Sequence, residues 1–92
     1  MATIRMHRKH ALGVSKAKKA VDKVAIHIRE RFEIEAKWNR NTLEFSRIGV
    51  AGEISVEADS VSVYADISWL LLPIKASIEQ EISRYLDQEF GS

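Results

Sequence analysis

The run Trp69-Leu70-Leu71-Leu72-Pro73-Ile74-Lys75 constrains this chain more than any other stretch. Five of its seven residues are large and apolar, and it lies where an alternating strand hands over to a helix. A chain of 92 residues makes one domain. At that size folding buries only about two-thirds of the unfolded surface, so a single two-layer core is the realistic solution. Either that fold covers both sides of the run, or the protein shows an apolar patch to something else.

The segments leading to this run alternate. Thr3 to Arg8 puts Ile4 and Met6 on one side and Thr3, Arg5 and His7 on the other, which is a strand. His10-Ala11-Leu12-Gly13 reads as a loop. Ser15 is the expected N-cap of the next element, with Val14 before it as a staple. From there to Phe32, residues Ala17, Val21, Val24, Ala25, Ile28 and Phe32 recur at helical spacing. Ile26 falls on the opposite, polar side near Lys19 and Lys23 and is expected to be exposed.

Ile34, Ala36 and Trp38 share one face of a second strand, and Asn39-Arg40-Asn41 is a turn signal. Leu43 and Phe45 continue that face. The two glycines of Ile48-Gly49-Val50-Ala51-Gly52 mark a hairpin loop or a bulged bend. Ile54, Val56 and Ala58 form a further alternating set, and Asp59-Ser60 is the expected turn. Val61, Val63, Ala65 and Ile67 then point to the core. Extending their register puts Trp69 and Leu71 inside, with Leu70 and Leu72 on the outer face beside Tyr64. Pro73 disfavours helical geometry at Leu72 and suits a first helical position, so the last helix is expected to begin at Pro73, with the leucines extended or looped. Its apolar stripe is Ile74, Ile78, Ile82, Tyr85 and Leu86, and Phe90-Gly91 ends it.

The order strand, helix, four antiparallel strands in a meander, helix predicts an α+β two-layer sandwich with both helices on one face of the sheet. The order of the strands is not set by the pattern.

Composition excludes several functions. There is no cysteine, so neither a thiol nucleophile nor a cysteine-based metal site is available. His7, His10 and His27 have no carboxylate at ligand-like spacing, so no metal is expected. The serines lack a nucleophile elbow, so no catalytic residue, no enzyme and no cofactor is expected. The basic stretch before His10 has no apolar block after it and does not read as a signal peptide. No apolar stretch approaches the ~20 residues that span a bilayer. The expectation is a cytoplasmic protein.

Charge is lopsided. Residues 1–47 carry 12 Lys/Arg and 5 Asp/Glu, whereas residues 48–92 carry 2 and 8, so a net +7 faces a net −6. Such asymmetry fits a basic partner surface, or two halves that attract within one fold or between two copies. The candidates for a basic face are Lys16, Lys19 and Lys23. Basic side chains neutralise phosphates without reading sequence. No aromatics interleave with them, however, and the acidic second half repels a polyanion, so nucleic acid is disfavoured. Gly49-Val50-Ala51-Gly52 has the form of an RNA-backbone clamp, but that clamp needs flanking helices and here strands flank it.

His10-Ala11-Leu12-Gly13, Ala17-Lys18, Trp38, Leu43-Glu44-Phe45, Arg47 to Gly52, Leu71-Leu72-Pro73, Lys75 and Ile78-Glu79 occur in an order and spacing that resembles the putative polyhydroxyalkanoic acid system proteins of bacteria. The likeness runs through almost the full length. It departs after the tryptophan, where the family has a Gly-Asp-like tight turn and this chain has Asn39-Arg40-Asn41-Thr42. The resemblance implies association with polyester storage granules and supplies no catalytic residue. The favoured expectation is a non-catalytic interaction module whose partner-binding candidates are Tyr64, Trp69, Leu70 and Leu72. Its target would be a second copy in a homodimer, a granule-associated protein or the polyester surface. The alternatives are nucleic-acid binding by the basic face, or an apolar ligand pocket lined by Trp38, Phe45, Trp69 and Tyr85.

Overall fold

The computed structural model describes residues 2–90. Strand β1 (Ala2–Lys9) leads to helix α1 (Gly13–Phe32). Strands β2 (Glu35–Asn39), β3 (Thr42–Arg47), β4 (Val50–Val56) and β5 (Ser60–Ile67) follow as a meander. A 3₁₀ turn over Trp69–Leu71 joins β5 to helix α2 (Leu72–Phe90). The five strands form one antiparallel sheet in the order β1-β5-β4-β3-β2. This is the α+β sandwich that the alternation implied. The crossover through α1 carries the chain from one sheet edge to the other.

The core lies between the sheet and the two helices. Ile4, Leu43, Phe45, Ile54, Val56, Val61, Val63, Ala65 and Ile67 point inward from the strands. Ala17, Val21, Val24 and Ile28 meet them from α1, and Ile78, Ile82 and Leu86 from α2. Complete burial of each leucine or isoleucine here contributes roughly 1.5–3 kcal/mol. Among the described residues no buried side-chain polar atom lacks a partner.

Several element ends differ from the sequence reading, each for a local reason. Helix α1 begins at Gly13, and Ser15 lies inside its first turn rather than capping it. The loop before it is anchored by His10, whose Nδ1 accepts the Leu12 N–H at 3.1 Å while Nε2 stands 3.2 Å from the Ser60 carbonyl. Val14 packs on the core from within the helix instead of acting as a staple. At the other end Glu33 takes a left-handed conformation, and Arg47 donates to the orphan Phe32 carbonyl at 2.6 Å.

The β2–β3 turn is tight despite the departure from the family pattern. Arg40 adopts φ 57, and Asn39 pairs with Thr42. Ala58 is exposed beyond the end of β4. The next turn spans residues 57–59, because Ser60 already pairs with Lys9 as the first residue of β5.

The largest correction falls on the apolar run. Both neighbours of β5 stop at Ile67, which pairs with Ala2 on one side and Val50 on the other. With no ladder beyond it, the alternation ends. The Leu71 N–H bonds to the Ser68 carbonyl and the backbone coils. Trp69 therefore faces solvent instead of the core. Leu72 is helical (φ −53, ψ −39) in spite of Pro73, so α2 begins one residue early. Ile74 is exposed in its first turn rather than part of the buried stripe. Gly91 lies outside the described residues.

Candidate functional site

The surface divides into three regions of different chemistry. The first is the end of the molecule where β5 gives way to α2. There Trp69 is 73 % exposed, Leu70 57 %, Leu72 44 % and Ile74 37 %. The β3–β4 turn packs beside them. The Ser68 N–H bonds to the Gly49 carbonyl at 2.8 Å, and Leu71 lies so close that a Cβ on Gly49 would stand 2.8 Å from its Cδ1. Gly49 takes φ +91, which throws Ile48 to the outside at 83 % exposure. Five large apolar side chains thus share one end, while Leu71 alone turns inward to the core.

The sequence reading named Trp69, Leu70 and Leu72 as candidates, and all three are exposed, although it put Trp69 on the inner face. It missed Ile48, whose signal was an isoleucine directly before a turn glycine. It also grouped Tyr64 with the leucines. Tyr64 is on the outer face of the sheet, as expected, but it stands mid-strand, where the leucines do not continue its row, with Arg5 5.4 Å over its ring.

The second region is that outer face. A row of residues crosses all five strands: Arg5, Tyr64, Glu53, Glu44 and Lys37 are successive cross-strand partners. Glu44 and Glu53 oppose each other directly on β3 and β4, an arrangement that costs stability when nothing offsets it. Among the described residues neither makes an ion pair, although Asn39 reaches Glu44 at 3.4 Å. Asp66 and Glu35 flank them one row away. An open groove of about 930 Å³ runs over this face.

The third region is the outer side of α1. Lys16, Lys19 and Lys23 are exposed along it, followed by Ile26. Lys23 comes within 4.0 Å of Glu89, a long contact for an exposed side chain. Lys18 is set apart from this ridge. It lies 4.8 Å over the Trp38 ring, and the Trp38 indole donates to Asp22 at 2.6 Å, fastening α1 to β2.

The aromatics considered for a ligand pocket are not brought together. Trp69 is outside, and Tyr85 stacks on His27 at 4.3 Å between the helices. The apolar cavity under the sheet, between Ile28, Phe45, Ile54 and Ile82, measures about 10 Å³. A single water needs about that much room. Among the described residues no group of three metal-ligating side chains converges, and no helix is long and apolar enough to cross a membrane.

Comparison with known proteins adds a family and a fold. A family model described as putative polyhydroxyalkanoic acid system protein matches residues 4–90. Among solved structures, the fold is similar to the NMR structure of PA4090 from Pseudomonas aeruginosa. The TM-score is 0.66 at 10 % identity, covering 100 % of this chain and 88 % of that one. No curated protein matches.

Proposed function

From its premise, that the chain belongs to the putative polyhydroxyalkanoic acid system protein family, we propose that it is a non-catalytic interaction module whose apolar end rests on the surface of polyester inclusions. The observation that carries this reading is the exposed end formed by Ile48, Trp69, Leu70, Leu72 and Ile74. Scattered exposed apolar residues are ordinary, and five together at one tip support reading it as a contact surface. An amorphous aliphatic polyester presents methylene-rich surface with ester carbonyls and no charge. Apolar side chains on a protruding turn meet such a surface without needing a complementary pocket, and the Trp69 indole N–H can donate to an ester carbonyl.

The test is retention of the protein on amorphous polyhydroxybutyrate particles. Each 1.4 kcal/mol is a tenfold change in partition, and burying a leucine contributes roughly 1.5–3 kcal/mol. The variant Leu70→Ser/Leu72→Ser is expected to lose more than tenfold in retention while its circular dichroism stays unchanged. Undiminished retention by the folded variant would sink the reading.

A further inference from the structure

We infer that copies of this chain stack head to tail, the basic outer side of α1 in one copy lying in the acidic groove on the outer sheet face of the next. This surface is separate from the apolar end, so the inference stands whether or not that end meets polyester.

Charge argues for the occupant. Along α1, Lys19 and Lys23 are one helical turn apart, a rise of ~6 Å. On the sheet, Glu44 and Glu53 are direct cross-strand neighbours, with Cβ atoms ~5 Å apart. The two pairs match in spacing and are opposite in sign. Glu53 makes no ion pair or hydrogen bond among the described residues, and Glu44 takes only the 3.4 Å contact from Asn39. Lys19 also has no ion pair among the described residues, and Lys23 has only its 4.0 Å approach to Glu89. The groove is lined by Glu35, Glu44, Glu53 and Asp66 against Arg29 and Lys37, so it is acidic on balance, and Lys37 stands opposite Glu44 alone. Two carboxylates facing each other in the middle of a sheet are then a local conflict that a further cation relieves.

Shape and apolar contact agree. The groove of about 930 Å³ accommodates roughly two turns of a helix ~10 Å across. Ile26, exposed one turn beyond Lys23, and Tyr64, exposed beside Glu53, supply an apolar centre for the contact. The two surfaces lie on opposite faces of one two-layer molecule. A contact between them is heterologous and propagates instead of closing. The layer normal is also at right angles to the strands, whose ends carry Ile48 and Trp69. A row stacked along that normal therefore leaves the apolar ends at its sides, uncovered by the contact.

The experiment is sedimentation velocity on the full chain at low salt, about 20 mM NaCl, and at about 500 mM, where screening falls within roughly 4 Å. The wild type is expected to form species larger than dimers at low salt and to revert to monomer at high salt. Lys19→Gln/Lys23→Gln and Glu44→Gln/Glu53→Gln, all at surface positions, are each expected to weaken self-association at least tenfold. Mixed in equal amounts at low salt, they are expected to stop at a one-to-one pair, because one intact helix face meets one intact groove. Melting curves confirm that both are folded. A monomeric wild type at low salt and ~1 mM overturns the inference, as does a closed dimer. So does assembly that ignores salt and disappears only in Leu70→Ser/Leu72→Ser.

Discussion

At the scale of single residues, Gly52 marks the closest approach the glycines make to a neighbouring strand. It sits in β4 between Phe45 on β3 and Ala65 on β5. A Cβ built there would stand 2.4 Å from the Tyr64 carbonyl oxygen and 2.8 Å from the Ala65 Cα. Both are backbone atoms, so no side chain can swing aside. In a typical strand, replacing glycine with alanine gains roughly 0.5–1 kcal/mol. Here overpacking costs about 1–3 kcal/mol and reverses the sign. Gly52→Ala is therefore expected to lower the urea midpoint with little change in slope. A raised midpoint would show that the strands separate easily at this point. The sequence announced a special glycine in the 48–52 segment but not which role each one plays. Gly49 serves a turn and Gly52 a close approach, and only the neighbouring strand distinguishes them. His10 was equally illegible. Its ring bridges the Leu12 amide and the Ser60 carbonyl, fifty residues away in sequence, and packs 5.3 Å from Phe90. No spacing rule reports such a contact.

At the scale of elements, the join between β5 and α2 shows where periodicity stops being informative. Val61, Val63, Ala65 and Ile67 are all buried, as their alternation requires. The same alternation carried two residues further fails at Trp69, because a strand keeps its faces only while its neighbours hold it. The ends of β1 and β4 are properties of other segments, and the run itself contains no trace of them. Pro73 misled by one residue for a related reason. Its preference against a helical residue before it is a bias, overcome here by the 3₁₀ turn that delivers Leu72 already coiled. The element that results separates the three leucines by role. Leu71 packs on the core beside Gly49, while Leu70 and Leu72 face out. Leu71→Ala is thus expected to cost about 1–3 kcal/mol, below the range for fully buried leucines because Leu71 is only partly covered. Leu70→Ser/Leu72→Ser is expected to stay within about 1 kcal/mol of wild type. Thermal melts of the two variants side by side check this. Equal destabilisation would mean that all three leucines are core.

At the scale of the whole molecule, the division of charge between the two halves of the chain was plain from the sequence, but its purpose was not. The fold answers part of the question. The acidic second half and the basic first half interleave in space, since β1 pairs with β5 and α1 packs against α2. Yet few ion pairs result. Arg8 reaches Asp87 at 2.8 Å and also donates to Ser83, joining β1 to α2. Among the described residues the other ion pairs that join the halves are Lys23–Glu89 and Arg31–Glu81, at 3.9–4.0 Å and each with its basic partner exposed, while Lys75–Glu79 and Arg84–Glu81 lie within α2. Exposed pairs of that kind contribute about 0–1 kcal/mol each and are screened by salt. Attraction between the halves is therefore a minor part of what holds one copy together, and the apolar core carries the rest. Urea unfolding of dilute protein distinguishes the two uses of the charge. Raising NaCl from about 50 to about 500 mM is expected to shift the unfolding free energy by less than ~1 kcal/mol, because only weak exposed pairs are being screened. The same change of salt is expected to dissolve the stacked assembly. If salt instead cost the monomer several kcal/mol, the asymmetry would belong to the fold. Lys19 and Glu53 would then act through the long-range field inside one molecule and not across a contact between two.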